Sequence, residues 1–397
     1  MNMNNVPLNI AGEKWLEDET LVRLMAVLNH EELSARIVGG AVRDALFNIF
    51  WKRERKIGDI DIASRYSPEK NRKILEKAGI SVIPTGLKHG TITARLNDKN
   101  FEITTLRRDV STDGRHAEVE FTDDWHEDAR RRDFTINALY LDIDGTIHDP
   151  LGGFRDIKKA RVRFIGNARE RIKEDGLRIL RFFRFSSNYD VGGVDEAGML
   201  ACVERKAMIA KLSGERVRDE FEKLLLSKQV VQIIPVMAAI GILREILPEY
   251  EQYDELLKYA KRQKKLGQKD FIGRLSCLLP GDKEIISKAS KRLRLSNRQR
   301  DQLISFTEPY ENHDLRKETL RRVLYQYGKD VVIHNLTRLG KLDLKTLSYI
   351  EEYEIPQLPI SGKELMEQGW KAGRELGGEL KRLEEIWIKN DFKMTLH

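Results

Sequence analysis

The residues best suited to chemistry lie in Lys56-Ile57-Gly58-Asp59-Ile60-Asp61-Ile62, where two carboxylates alternate with isoleucines. On a strand successive side chains point to opposite faces, so Asp59 and Asp61 would share one face about 7 Å apart while Ile60 and Ile62 enter the core. Carboxylate oxygens are hard ligands suited to Mg²⁺, which keeps coordination positions open for phosphate oxygens. An isolated Asp-x-Asp is equally a solvated strand edge with two incidental acids. In Phe101-Glu102-Ile103-Thr104 the same alternation sets Glu102 apart from the apolar positions. From an adjacent strand Glu102 would add a third carboxylate, enough for a two-cation site in which one cation lowers the pKa of an attacking hydroxyl and the other stabilises a leaving pyrophosphate. Its alternative is an exposed sheet residue.

Phosphate-binding groups flank this stretch. Gly39-Gly40-Ala41-Val42-Arg43-Asp44 follows a short apolar strand at 35–38 and opens a helix. Helix N-termini attract anions through free amides and the helix dipole, and Arg43 adds a fixed charge, although a structural turn explains a Gly-Gly as well. The Gly-Lys-Ser/Thr of a Walker A loop is absent. Further on, Arg130-Arg131-Arg132-Asp133-Phe134-Thr135-Ile136-Asn137 puts three arginines before an apolar run. They read as a solvated face, or, beside a nucleotide, as bidentate contacts to phosphate and ribose.

The third constellation is Glu174-Asp175-Gly176-Leu177-Arg178, continued by Arg181 and Arg184. Read as one helix, it makes Glu174, Arg178 and Arg181 neighbours and sets Asp175 three residues before Arg178. Intrahelical ion pairs worth a few tenths of a kcal/mol account for that pattern. The functional reading is sharper. An Asp accepts from an exocyclic amino group while an Arg donates to the adjacent ring nitrogen, and cytosine and adenine both present that pair on the Watson–Crick edge. Guanine and uracil present the reverse, so one Asp/Arg pair would accept C and A without a template.

These residues need a scaffold. At 397 residues, two to four domains are expected, and 41% hydrophobic with 34% charged residues fits a globular protein with a charged surface. No apolar run approaches the roughly 20 residues of a membrane span, and the first residues lack a signal-peptide core, so the cytoplasm is the expected location and no membrane partner is expected. Cys202 and Cys277 show no metal-ligand spacing and read as buried small hydrophobes. A net charge of +7 suggests a polyanionic partner without identifying it. The spacing predicts an amphipathic helix over 13–33, a helix over 68–77, strands near 80–84, 90–95 and 100–106, and a hairpin around Asp144-Gly145. Residues 107–120 lack a sustained period, as a mobile loop would. From Phe154 the pattern is helical, with a capping signal at Ser213, basic runs at 258–265 and 288–300, and Trp370 and Trp387 expected to dock a last helical element after a linker at 357–362. The fold class is thus α+β, with a head of mixed sheet and helices at 1–153, a helical neck at 154–225 and an all-α body and tail at 226–397.

The ordered motifs IVGGAVRDAL, GDIDIAS, RRDFTINAL, DPLGGFRDI, EDGLRILRFFRF and the looser LSGERVRDEFEKLL span roughly residues 35–225. The chain resembles the bacterial class II tRNA nucleotidyltransferases, a family of CCA-adding enzymes and related poly(A) polymerases. The resemblance implies a polymerase-β-like nucleotidyltransferase head, Mg²⁺ on Asp59 and Asp61, and triphosphate contacts at Gly40 and Arg43, with Gly39 and Asp44 also among the nucleotide-binding residues. It further implies that Arg132, with Asp133 and Asn137 behind it, reads ribose and phosphate, that Asp175 and Arg178 select the base with Glu174 orienting the arginine, and that Arg181 and Arg184 contact the nucleotide. Phe183 and Ser186 stand where the family more often has alanine. The implied substrates are CTP, ATP and a tRNA 3′ end, with protein partners unspecified. Three other readings stay open at this point: a poly(A) polymerase, a partial CC- or A-adding enzyme, and an RNA-binding protein with a lapsed site.

Overall fold

The computed structural model describes residues 9–112, 117–189, 193–307, 310 and 314–393. In it, α1 (Glu19–Leu28) is followed by β1 (Ala35–Val38), α2 (Gly40–Trp51), β2 (Asp61–Ser64), α3 (Pro68–Lys77), β3 (Ser81–Gly86), β4 (Thr91–Leu96) and β5 (Lys99–Thr105). Next come β6 (Arg107–Thr112), β7 (Ala117–Phe121), α4 (Trp125–Arg131), β8 (Tyr140–Leu141) and β9 (Ile147–His148). Beyond these the described residues are helical: α5 (Gly153–Lys158), α6 (Ala168–Glu174), α7 (Leu177–Tyr189), α8 (Glu196–Arg205), α9 (Gly214–Leu225), α10 (Val230–Ala239) and α11 (Ile242–Ile246). The chain divides into two compact units, Met1–Pro248 and Glu249–His397. The sequence-drawn boundaries at 153 and 225 both fall within the first.

The first unit is built on a mixed seven-stranded sheet ordered β3-β4-β5-β2-β1-β8-β9. Its central strand, β2, runs antiparallel to β1 and parallel to β5. Being central, β2 buries Ile62, Ala63 and Ser64 in succession rather than alternately. Local chemistry fixes the helix starts. The Asp18 carboxylate accepts from Leu21 N at 3.1 Å ahead of α1, and Ser67 with Pro68 opens α3. The hairpin around Asp144-Gly145 is present as β8 paired with β9. Gly145 has φ +87, and a Cβ there would lie 2.3 Å from the Ala11 backbone nitrogen. Gly145→Ala is therefore expected to destabilise the first unit by about 1–3 kcal/mol from backbone conformation alone, read as a lower urea midpoint with unchanged slope.

Four expectations are corrected. The strand carrying the aspartates begins only at Asp61, so Asp59 and Ile60 precede it; Asp59 is exposed and Ile60 half-buried. The cause lies in β1, which ends at Val38 opposite Asp61 and turns at Gly39 into α2, leaving no strand partner there for the residues before Asp61. The stretch from Glu174 onward is two helices: Asp175 is extended at φ −151 and ψ 109, and its Oδ1 accepts from Leu177 N at 3.0 Å, a local bond that competes with the helix. Residues 107–112 and 117–120 belong to a two-stranded ribbon, β6–β7, paired Arg107 to Phe121 and Arg108 to Glu120, while 113–116 lie outside the described residues. Charge pairing, with Arg108 at 2.9 Å from Glu120, takes the place of the apolar period that usually marks a strand. Finally, Trp387 is buried against Tyr325 and Phe392, but Trp370 is 39% exposed in the segment that follows a short helix.

An aromatic cluster ties α7 to the segment after α4: Phe134 packs on Phe164, Phe182 and Phe185 with ring centroids 5.0 to 6.2 Å apart. Phe183 and Ser186 are buried in the same helix, the Ser186 hydroxyl without a hydrogen-bond partner. The second unit comprises α12 (Asp254–Lys265), α13 (Phe271–Ser276), α14 (Lys283–Arg292), α15 (Asn297–Ser305), α16 (Lys317–Leu339, kinked at Gly328), α17 (Leu344–Glu352), α18 (Gly362–Glu367) and α19 (Arg374–Lys389). Leu320, Val323, Leu324, Val332, Leu336 and Ile350 form a core there. Both cysteines are buried, and among the described residues no helix is long and apolar enough to cross a membrane.

Candidate active site

A cleft of about 620 Å³ in the first unit brings together Gly39, Gly40, Arg43, Asp61, Arg132, Asp133, Asn137, Asp175, Arg178 and Arg181. Residues from one strand, the mouth of α2, the end of α4 and the α6–α7 junction thus meet around one space. Asp59, Glu102, Asp44, Glu174 and Arg184 stand outside its lining.

Asp61 is the acidic centre. It sits in register with Glu102 on the parallel neighbour β5 and with Val38 on β1. Burial, reinforced by Glu102 and Asp59 and opposed by Arg132 and Arg43, pushes its carboxyl up to about 6. A buried carboxyl within the field of two further acids makes a place where a cation is favoured. Among the described residues no three His, Cys, Asp or Glu side chains are close enough to hold a metal ion unaided. A cation on Asp59 and Asp61 would complete its shell with water and substrate oxygens, which suits a hard ion that dehydrates reluctantly. Gly39, at φ +75, caps α2, and a Cβ there would lie 3.8 Å from Asp61 Oδ2 and 3.9 Å from Arg132 Nη1. The space would admit a side chain; the positive φ is what calls for glycine.

The arginines around the acid are held rigidly. Arg132 donates to the buried Asp128 carboxylate at 3.0 and 3.2 Å, and Arg131 reaches the other oxygen at 2.7 Å. Tyr140 donates to the same carboxylate at 2.7 Å. Burial alone would raise the Asp128 pKa, but Arg132, Arg131 and the Tyr140 hydroxyl outweigh it and hold the group down at about 2. Arg43 donates to Asn137 Oδ1 at 2.7 Å and to Asp44 at 3.1 Å, and stacks over Tyr189, whose hydroxyl donates to Asp44 at 2.6 Å. Asp44 therefore anchors Arg43 from behind. Asn137 in turn donates to Asp133, which also accepts from Arg181 at 2.8 Å.

On the opposite wall, Arg178 Nη1 donates to Glu174 Oε2 at 2.5 Å and to the Arg171 carbonyl at 2.7 Å. Asp175 Oδ2 accepts from Arg216 on α9 at 2.7 Å. Glu174 and Arg178 meet across the helix break, whereas Arg181 turns to Asp133 and Glu220 rather than to Glu174. Arg184 donates to Glu220 at 2.5 Å and lies over the Phe185 ring.

Comparison with known proteins identifies the family. The family described as "Poly A polymerase head domain" matches residues 35–163, and "Probable RNA and SrmB- binding site of polymerase A" matches residues 194–254. The mitochondrial CCA tRNA nucleotidyltransferase 1 of Homo sapiens is 37% identical over 391 residues, covering 95% of this chain and 87% of that protein. The chain belongs to the CCA tRNA nucleotidyltransferase family. The CCA-adding enzyme of Streptococcus uberis is 30% identical over 399 residues, covering 94% of this chain and 93% of that one. The crystal structure of the Bacillus stearothermophilus CCA-adding enzyme in complex with CTP superposes with a TM-score of 0.77 at 26% identity, covering 94% of this chain and 93% of that chain. Nucleotidyltransferases of this family generally use divalent metals.

Set in this nucleotidyltransferase, several partners escaped the reading of the sequence. Asp128 stands three and four residues before the arginines it holds, a spacing legible as helical pairs, whereas Glu220 meets Arg181 and Arg184 from 39 and 36 residues away. Arg216 and Tyr189 could not be found that way, because their partners Asp175 and Asp44 lie 41 and 145 residues away in the chain.

Proposed function

We propose that the chain adds C, C and A to the 3′ end of tRNA from CTP and ATP, releasing pyrophosphate, without a nucleic-acid template. The observation that carries this reading is the single cleft whose lining holds Asp61 and the mouth of α2 together with Asp175 and Arg178. The 3′-hydroxyl oxygen bonds to the α-phosphorus, the bridge to the β-phosphate breaks, and the hydroxyl proton is lost. Asp59 and Asp61 would hold Mg²⁺, which neutralises the triphosphate and lowers the hydroxyl pKa when bound, with Glu102 beside Asp61 completing the acidic side. Gly39, Gly40 and Arg43 receive the triphosphate at the start of α2. Arg132, fixed by Asp128, addresses phosphate and ribose, with Asp133, Asn137 and Arg181 supporting that wall and Asp44 and Arg184 anchoring it from outside. Positioning and charge neutralisation then supply most of the catalysis.

Base choice is assigned to Asp175 and Arg178. Glu174 orients Arg178, while Arg216 and the Leu177 N–H each hold one Asp175 oxygen, fixing a carboxylate whose remaining lone pairs accept from the amino group of C or A. Asp175→Ala is expected to lower the preference for CTP and ATP over UTP and GTP by about 10- to 100-fold, the worth of one good bidentate pair. Unchanged discrimination would remove the protein template. The deciding experiment gives the full chain a tRNA lacking its last three nucleotides, supplies each nucleotide triphosphate alone and then all together, and sequences the product ends. CCA ends support the proposal; runs of A, CC-only or A-only ends, or no addition point to the polymerase, partial and lapsed readings respectively.

The proposal treats 1–153 as the catalytic head, 154–225 as the neck and 226–397 as the RNA-binding body and tail. Lys258, Lys261, Lys264, Lys265, Lys288 and Lys291 are exposed on helices of the last segment, as a backbone-tracking surface requires. A cytoplasmic place of action belongs to the same proposal, and fractionation of cells carrying the tagged chain checks it.

A further inference from the structure

The base-reading residues and the phosphate-side arginines come from separate elements, and one residue outside the cleft lining reaches both through its side chain and its backbone carbonyl. Arg171, on α6, has a side chain only 11% exposed. Its Nη1 donates to Glu174 Oε2 at 2.5 Å, the same oxygen that accepts from Arg178 Nη1 at 2.5 Å. Its Nη2 donates to the backbone carbonyl of Arg132 at 2.8 Å and to that of Arg131. These carbonyls end α4, where a cation also meets the negative end of the helix dipole. The Arg171 carbonyl, finally, accepts from Arg178 Nη1 at 2.7 Å. A continuous series of charge-assisted bonds thus runs from Asp128 through Arg132 and Arg171 to Glu174 and Arg178.

We propose that Arg171 is a positioning residue that sets the base-reading pair Asp175/Arg178 relative to the phosphate-side Arg132, and that nucleotide selection depends on it. The inference rests on the nucleotide-adding function proposed above. Its physical basis is the planar guanidinium, whose donors reach in two directions from one rigid fork; a lysine ammonium on a flexible stem cannot hold a carboxylate and a helix end in the same fixed relation. With that link loosened, a bound nucleotide still meets the arginines, but its base and its α-phosphate are no longer presented together, so turnover suffers more than binding.

The test compares Arg171→Lys and Arg171→Met with Arg169→Ala in the full chain. Arg169 lies on the same helix and holds Glu204 on α8 at 2.5 Å, in an exposed pair, so its loss reports general weakening of α6. Steady-state incorporation of CTP and UTP into a tRNA lacking CCA, together with melting temperatures, supplies the readouts. Arg171→Lys is expected to lower the CTP-over-UTP preference by about tenfold or more, mainly through kcat for CTP, with KM for CTP changed by less than about threefold. Arg169→Ala is expected to keep the wild-type preference even where its melting temperature falls. If Arg171→Met does not fold, Arg171→Lys decides. Wild-type preference in Arg171→Lys, or an equal loss of preference in Arg169→Ala, overturns the inference while leaving the function intact, provided the wild-type chain adds C and A. A wild-type chain that adds neither overturns the function and the inference together.

Discussion

Asp61→Asn is expected to cut nucleotide incorporation on the order of 10³-fold, equivalent to about 4 kcal/mol of lost transition-state stabilisation, while tRNA affinity changes less than about threefold. Asparagine keeps the size of the side chain and one acceptor oxygen but removes the negative charge. Asp61 lies in register with Glu102 at the start of a central strand, within the field of Asp59, and its pKa is raised first by burial and then by the load of those like charges. A cation serves that loading, so neutralising Asp61 removes both a ligand and the electrostatic reason for the ion to bind there. The tRNA contacts proposed for the helical segment lie elsewhere in the chain. Single-turnover extension of a tRNA lacking CCA, paired with filter binding across Mg²⁺ concentrations, separates the two effects; retained turnover would sink the metal assignment.

The second large effect concerns stability. Asp128 is 1% exposed and bonded to Arg131, Arg132 and Tyr140. Asp128→Asn leaves those arginines half-buried without their counter-charge, and breaking a pair of this kind costs about 3–5 kcal/mol. The pH dependence has a definite sign. The carboxyl is held at about 2 in the folded chain against an ordinary 3.8. A depressed pKa stabilises the folded state at pH above the ordinary value, and that contribution, about 2 kcal/mol, fades as pH falls from about 4 through 2. The gap in urea stability between wild type and Asp128→Asn is therefore expected to be full at pH 7 and to narrow between pH 4 and pH 2. A gap that stays constant over that range would show that the bonds to Asp128 act through packing rather than charge. The variant also loses incorporation below its melting temperature, because Arg132 owes its orientation to Asp128.

Local chemistry accounts for what the sequence by itself determined. The α3 bounds follow from Ser67-Pro68 and the turn after Lys77, the β8–β9 hairpin from Asp144-Gly145, and the sidedness of β5 from Phe101, Glu102 and Ile103. Each is an interaction between near neighbours, and near neighbours can be read in order. Even the pairing of Glu174 with Arg178 survived the break at Asp175, since both residues flank that break closely.

What the tertiary structure decided involves partners far apart. The strand of Asp61 starts where it does because β1 stops at Val38, and periodicity within 56–64 carries no record of where another strand ends. The ribbon at 107–121 pairs through charges, so no apolar alternation announced it. Arg171, Arg216 and Tyr189 acquired their partners only when α6, α7 and α9 packed around the head. The residue types suited to the chemistry were therefore legible in the chain, because chemistry depends on functional groups. Their mutual distances were not, because those depend on which buried surfaces meet.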